Sequence, residues 1–171
     1  MNHYILERVQ LLLSQNRIDE ADKQIHAYLQ EDPTSEYGRY LLAYILFFKG
    51  ESRKSEQVLL QLQSESPENS GYLALLTEIN LREEEYASAE NRSDQLLEME
   101  PDEVEFHNLK SRVKFAQRYY DSALKYTNSA LTIDPENLEA LNQKALLAGM
   151  LGDKNVASNA VFEALEQNPE D

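Results

Sequence analysis

The sequence predicts an all-α fold built as an array of five helical hairpins, and three features that recur every 34 residues predict it. The first is proline, since all five prolines lie at this spacing, at Pro33, Pro67, Pro101, Pro135 and Pro169. The second is a pair of small-residue columns, and the third is a residue suited to a positive backbone φ. Such a period is typical of proteins in which each repeat is one supersecondary unit.

Proline marks the end of a helix in each repeat, because it has no N–H and its ring clashes with the preceding helical turn. The repeats therefore span about 2–35, 36–69, 70–103, 104–137 and 138–171, in one array with no second domain. Each should hold a first helix of about 14 residues, a short turn and a second helix of similar length.

Two columns of small residues indicate where the helices pack closely, since small side chains let two backbones approach each other. One column lies in the first helices, at Val9, Ala43, Thr77, Ser111 and Ala145, and the other in the second helices, at Ala21, Ser55, Ala89, Ala123 and Ala157. In the second repeat, we expect Leu42, Ala43 and Leu46 to supply the core face of the first helix.

The turn within each hairpin favours a residue that tolerates a positive φ, and Asn16, Gly50 and Gly152 fit that position. In repeats three and four this turn position holds Glu84 and Arg118, so the sequence does not determine the geometry of those two turns. The helix starts should be capped by side chains beside the prolines. The candidates are Thr34 and Ser35, Asn69 and Ser70, Asp102 ahead of Glu105, and Asn137.

These residues resemble the tetratricopeptide repeat family along the whole chain. Repeat five carries the motif in Leu141, Ala145, Ala148, Gly152, Ala157, Val161, Ala164 and Pro169, and repeat four adds Tyr120, Asp121, Ala123, Ala130 and residues 133–135. The resemblance implies a right-handed superhelical solenoid. Repeat four departs from the family pattern at His107, Lys110 and Lys114, so its first helix should turn toward Phe106, Leu109 and Val113. The large aromatic residue near the start of each family repeat is missing, since the chain has no Trp.

A binding groove is predicted on the first helices, which line the inner face of a stacked array. Tyr37, Tyr40, Tyr44 and Phe47 are spaced three, four and three residues apart and form one aromatic stripe. Tyrosine combines a large apolar area with a polar tip, which suits a binding surface, although one or two of these rings should pack between repeats. The groove would continue along the chain through Glu78, Arg82, Asn108, Arg112, Phe115 and Asn142.

One specificity known in the family is not expected here. Its clamp of Lys, Asn, Asn, Lys and Arg grips the C-terminal carboxylates of chaperones. The corresponding places in repeats one to three hold Leu6, Gln10, Leu41, Gly71 and Leu75, and no other register fits better.

The net charge of −15 is uneven, with −8 in repeat three and +1 in repeat four. A solvated face is the favoured interpretation, and an acidic edge that attracts a basic partner is the alternative. Repeat four's basic residues, Lys110, Arg112, Lys114, Arg118 and Lys125, form a poor phosphate track in so acidic a chain, which argues against nucleic acid. No apolar run approaches the roughly 18 residues of a membrane span, and no basic leader precedes one, so we expect a cytoplasmic protein without membrane insertion.

Catalytic chemistry is not predicted. His3, His26 and His107 fall at three different positions of the repeat, and each is expected on the surface. No metal-binding motif, phosphate loop or cysteine is present, so we expect no enzyme, no metal and no cofactor.

The sequence therefore predicts a non-catalytic scaffold that binds a peptide or protein segment in its groove. Two alternatives stay open: a structural assembly module that uses its exposed ends, and an accessory chaperone for a client protein. The last helix carries the apolar residues Val156, Ala160, Val161, Ala164 and Leu165 without a capping helix after it. We expect either further helix beyond residue 171 or self-association through this end.

Overall fold

The computed structural model describes residues 3–167, and α-helices joined by short turns are the regular secondary structure of that part. Ten helices form five consecutive pairs, one pair within each predicted repeat. They are α1 (His3–Ser14), α2 (Ile18–Glu31), α3 (Glu36–Phe48), α4 (Ser52–Glu65), α5 (Ser70–Arg82), α6 (Tyr86–Met99), α7 (Val104–Ala116), α8 (Tyr120–Ile133), α9 (Leu138–Leu151) and α10 (Lys154–Gln167). The all-α class and the hairpin pattern are confirmed. Pro169 lies outside the described residues.

All five hairpin turns share one geometry. The residue at the turn position has a positive φ in every repeat, including Glu84 at 60° and Arg118 at 65°, the two turns that the sequence left open. In each turn the residue that follows donates its N–H to the carbonyl five residues back, as in the 2.9 Å bond from Tyr119 to Lys114. This is the Schellman pattern, which satisfies carbonyls at the helix end.

The small-residue columns bring the two helices of a hairpin close together. Ser55 Oγ on α4 donates to the carbonyl of Ala43 on α3 at 2.6 Å. In repeat four the donor lies on the first helix of the hairpin instead, since Ser111 Oγ on α7 donates to the carbonyl of Ala123 on α8 at 2.9 Å. A side chain of two heavy atoms thus spans the gap between the helices, and most column residues are completely buried. Ala145 and Ala157, in the last repeat, are only half-buried.

Residues 3–79 form a first compact unit, with a core in two clusters. One cluster joins the first hairpin to α3 through Leu6, Val9, Leu12, Ala21, Ile25, Tyr28, Leu41 and Ile45. The other joins α3 and α4 to α5 through Ala43, Leu59, Leu62, Tyr72, Leu75, Leu76 and Ile79. The predicted core face of α3 was partly wrong. Leu41 and Ile45 are buried, whereas Leu42 only packs against the edge of the first cluster.

The described residues from Asn80 onward form a second compact unit. As predicted, α7 buries Phe106, Leu109 and Val113. The same helix also buries Lys110, although the charge pattern favoured a solvated face for the basic residues of this repeat.

The helices that follow the prolines are capped by a side chain at their N-termini, and α7 is the exception. Ser35 and Asn137 each accept a hydrogen bond from the backbone N–H three residues on, and Asn69 accepts one from the N–H of Gly71, two residues on. At α7 the same repeat position holds Glu103, whose side chain makes no capping hydrogen bond. The predicted pairing of Asp102 with Glu105 at this helix start was wrong, since Glu103 is the N-cap residue.

Candidate functional site

Helix α3 carries the aromatic residues of the predicted groove, and its start is held by close packing against α2. A Cβ added at Gly38 would lie only 2.9 Å from the Tyr28 ring, so the helices approach closely because this residue is glycine. The Tyr28 hydroxyl also donates to Ser35 Oγ, the cap of α3, at 3.2 Å. The aromatic face therefore projects from a fixed helix.

Four rings follow one another along this face of α3. The ring centroids are 6.4 Å apart from Tyr37 to Tyr40, 6.4 Å from Tyr40 to Tyr44 and 4.9 Å from Tyr44 to Phe48. The spacing in the sequence predicted Phe47 as the fourth ring, but Phe47 packs against the core of α4 and α5. Both residues stand at helical spacing from Tyr44, at i+3 and i+4, and the spacing alone did not decide between them.

A first cleft of about 400 Å³ lies between α1 and α3. Its lining contains no charged side chain and consists of Gln10, Leu13, Ser14, Tyr37, Tyr40, Leu41, Tyr44 and Phe48. Phe48 is 48% exposed and Tyr37 38% exposed, so a large aromatic area remains accessible. The hydroxyl groups of the tyrosines and Ser14, with the Gln10 amide, offer hydrogen-bonding groups around this apolar surface.

A second cleft of about 280 Å³ lies between α3 and the first turn of α5. It is lined by Glu36, Tyr37, Tyr40, Asn69, Gly71 and Tyr72. Tyr40 and Tyr72 are in ring contact at 5.4 Å, and the Tyr72 hydroxyl donates to Glu36 Oε1 at 2.6 Å. Since Tyr37 and Tyr40 border both clefts, their rings form a ridge between two adjacent openings.

The ionisation of this site is set by burial and by one hydrogen bond. The bond from Tyr72 lowers the pKa of Glu36, which keeps the carboxylate charged. Burial first, and then the bond to Glu36, raise the pKa of Tyr72. Burial also raises the pKa values of Tyr37 and Tyr40. Tyr37 and Tyr40, which border both clefts, are therefore neutral hydrogen-bond donors, with one carboxylate at the edge of the second cleft.

The other predicted groove residues do not join this site. Glu78 is half-buried in the first unit and lines neither cleft. In the second unit, Asn108 is 2% exposed and donates to the Asn137 side chain that caps α9, so it has a structural role. Phe115 packs on Tyr120 at 5.6 Å. Of the remaining positions, Arg112 is half-buried and two are exposed, Arg82 and Asn142.

The second unit contains a charged cluster that the sequence analysis missed. Lys110 is 1% exposed, and its Nζ lies 2.6 Å from Asp94 Oδ1 and 3.2 Å from the Glu90 carbonyl. Lys114 forms an ion pair with Glu90, whose other oxygen accepts a bond from Gln117 at 2.6 Å. Both bonds lower the pKa of Glu90, that from Lys114 most.

These ion pairs change the interpretation of the uneven charge, which is −8 in repeat three and +1 in repeat four. Two acidic residues of repeat three and two lysines of repeat four, each pair spaced i, i+4, neutralise each other within one unit. Lys110 and Lys114 are therefore not part of an exposed basic strip. The matching i, i+4 spacing on adjacent helices was the signal in the sequence.

A third cleft, of about 460 Å³, is bordered by α2, the end of α3 and α4, and its charges pair internally. Lys49 lies 2.5 Å from Asp22, and His26 Nδ1 lies 3.1 Å from the same carboxylate. His26 is exposed as predicted, and His107 is half-buried, with a ring nitrogen 2.8 Å from the Pro101 carbonyl. The side chain of His3 is outside the described set. No group of three or more metal-ligating side chains occurs in the part of the chain that the structure describes.

The helical hairpins with their recurring turns and small-residue columns define a helical repeat protein. Residues 80–138 match the tetratricopeptide repeat family model. This match, together with the solved structures described below, supports the family assignment that the sequence motifs predicted. No curated protein matches the chain by sequence.

Solved structures share the fold at low sequence identity. The protein TTC0263 of Thermus thermophilus, a thermophilic tetratricopeptide repeat protein, matches with a TM-score of 0.90 and 20% identity, over 100% of this chain and 93% of its own. MamA from Desulfovibrio magneticus RS-1 matches with a TM-score of 0.75 and 12% identity, over 98% and 95%. YrrB, described as a repeat protein with an unusual peptide-binding site, matches at 0.66 and 15%, over 97% and 86%.

The fold supports a protein–protein interaction scaffold in general, and proteins of this family are generally non-catalytic. Among the described residues, no helix is long and apolar enough to cross a membrane.

Proposed function

We propose that this chain is a non-catalytic cytoplasmic adaptor that binds a peptide or protein segment at the two clefts beside Tyr37 and Tyr40. The observation that carries the proposal is the exposed aromatic surface of α3, with Tyr37 and Phe48 more than one third exposed although they belong to a packed helix. Apolar area of this kind stabilises a complex when a partner covers it, and aromatic residues dominate the binding energy of protein interfaces.

The experiment that tests this proposal selects ligands without assuming a partner. A random peptide library displayed on phage is panned on the immobilised chain, and enriched peptides are synthesised for fluorescence anisotropy. Binding is then compared for the original chain, Tyr37→Ala and Phe48→Ala. The matched control is Tyr119→Ala, since Tyr119 is 60% exposed and lines neither cleft.

We expect each cleft variant to raise the Kd about tenfold or more, which corresponds to about 1.4 kcal/mol. The control should bind like the original chain, and circular dichroism should show unchanged helix content in all variants. Peptides whose Kd is the same for the cleft variants and the control would place the binding surface elsewhere and refute the proposal.

A second candidate function is assembly through the last hairpin, and a separate observation favours it. Six large apolar side chains of α9 and α10 are between 39% and 66% exposed: Leu146, Met150, Leu151, Val161, Phe162 and Leu165. Exposed apolar patches commonly mark contact sites between proteins. Sedimentation velocity at several concentrations tests this candidate. A concentration-dependent dimer that Leu165→Lys abolishes supports it, and a monomer throughout the range contradicts it.

A further inference from the structure

We infer that the two clefts take a proline-containing segment in the polyproline II conformation, with two prolines at positions i and i+3 and a lysine or arginine next to the proline in the second cleft. This inference rests on the proposed function, since it names the chemistry of the partner at the same site. It is carried by the ridge of Tyr37 and Tyr40, by the spacing that the ridge imposes and by the charge of the lining.

The two clefts lie on opposite sides of α3. One opens toward α1 and the other toward α5, and both are bordered by Tyr37 and Tyr40. Neighbouring packed helices are about 8–10 Å apart, so two openings that flank one helix are separated by about the same distance. A ligand that fills both must present two side chains at this separation on one face.

The polyproline II helix meets this requirement better than the other regular conformations. It has three residues per turn and rises about 3.1 Å per residue, so residues i and i+3 lie on one face about 9 Å apart. On a β-strand, residues on one face are separated by about 6.6 or 13 Å. On an α-helix, neighbours on one face are about 5–6 Å apart, and only residues seven apart, at about 10.5 Å, approach this separation.

The lining favours proline over charged or strongly polar side chains. The first cleft contains no charged residue, so a charge placed there would lose its hydration without an opposite charge to compensate. Proline packs well on aromatic rings, and aromatic-lined grooves are a recurrent means of binding proline-rich segments. The neutral tyrosine hydroxyl groups can donate to the carbonyls of a polyproline II segment, which has no internal hydrogen bonds.

Charge complementarity defines the residue that flanks the segment. Glu36 is exposed at the second cleft, and the bond from Tyr72 keeps it ionised. Its neighbour Arg39 is paired with Glu65, with Arg39 Nη2 2.5 Å from Glu65 Oε2. The local net charge is thus negative, and a lysine or arginine next to the second cleft would be attracted to it.

The test uses three synthetic peptides of equal length. The first, GAKPAAPKAG, places the prolines three residues apart with a lysine next to each, because the direction of binding is not fixed. The second, GAKPAPKAAG, has the same composition and the same flanking lysines with the prolines two apart, and the third, GAQPAAPQAG, replaces both lysines with glutamine. Each is titrated into the ¹⁵N-labelled chain, and Kd values are taken from amide shift changes.

We expect the first peptide to shift amides of α1, α3 and the start of α5, and the second to bind about tenfold more weakly. The third should bind about threefold more weakly at low salt, and Glu36→Gln should remove that difference. Tyr37→Ala should weaken the first peptide about tenfold, while Tyr119→Ala leaves it unchanged. Equal binding of the first two peptides, or no binding of the first, overturns the inference.

The outcome distinguishes this inference from the proposed function. Displayed peptides that lose binding in Tyr37→Ala but contain no pair of prolines three apart would overturn the polyproline II inference and leave the adaptor function supported. Failure of every selected peptide to respond to the cleft variants would refute both.

Discussion

The positive φ values of the hairpin turns lead to a prediction about Arg118. The equivalent position in two other repeats is glycine, Gly50 at 78° and Gly152 at 84°, whereas Arg118 is held at 65°. For residues with a Cβ, the left-handed conformation costs roughly 1–2 kcal/mol. The turn is formed anyway because the packed helices on each side fix its geometry. Arg118→Gly should therefore remove strain and stabilise the protein.

The expected gain is smaller than the strain, because glycine also increases the conformational freedom of the unfolded chain. That second effect costs roughly 0.5–1 kcal/mol, which leaves a net stabilisation of about 0.5–1 kcal/mol. In a chain of this size, such a change raises the Tm by about 1–4 °C. The reverse substitution, Gly50→Ala, should destabilise by about 1 kcal/mol. An added Cβ at Gly50 would meet no atom within 4 Å, so the backbone conformation alone is responsible.

The assay is urea denaturation followed by circular dichroism, with Arg118→Ala as the control. Alanine keeps the unfavourable φ but removes the guanidinium group, so this variant should have the stability of the original chain to within about 0.5 kcal/mol. If Arg118→Ala stabilises as much as Arg118→Gly, the effect comes from the side chain and not from φ. A loss of stability in Arg118→Gly would refute the reasoning outright.

Three further predictions concern packing, capping and pH. Ala123→Leu should overpack the hairpin of repeat four and lower the free energy of unfolding, measured in urea, by about 1–3 kcal/mol. The control Ser122→Leu lies on the exposed side of the same helix and should change it by less than about 0.5 kcal/mol. Equal effects of the two variants would contradict the packing. Glu103→Asn should supply the missing cap of α7 and raise the free energy of unfolding by about 1 kcal/mol, and no gain would mean that the cap does not form. The folded-state pKa values of Glu36 and Glu90 are lowered, so their stabilisation is present at neutral pH and is lost as the pH falls through those values. Thermal midpoints between pH 7 and pH 3 should therefore fall less steeply for Glu36→Gln and Glu90→Gln, and unchanged slopes would refute the assignment.

The repeat period predicted the fold well because it reports the requirements of packing directly. Proline ends a helix wherever it recurs, and a small residue recurs wherever two helices touch. These rules fixed the hairpins and most of the buried columns. The rings of Tyr37, Tyr40 and Tyr44 were also located correctly on one face. The choice between Phe47 and Phe48 was not determined, because both spacings from Tyr44 are helical and the neighbouring helices decide which ring enters the core.

The burial of Lys110 shows a different limit of sequence interpretation. Periodicity assigns a residue to a face, but it does not reveal whether an adjacent helix brings an opposite charge to that face. Here Glu90 and Asp94 on α6 surround the lysine, and the Tyr126 ring lies 6.0 Å from its Nζ. A long side chain can bury its aliphatic part while its charged end reaches such partners, so a lysine can occupy an apolar position of the repeat. A charge in a core column is therefore best interpreted together with the residues of the preceding helix. Where those include an acidic pair at matching spacing, as Glu90 and Asp94 do here, a lysine can occupy a core position of the repeat.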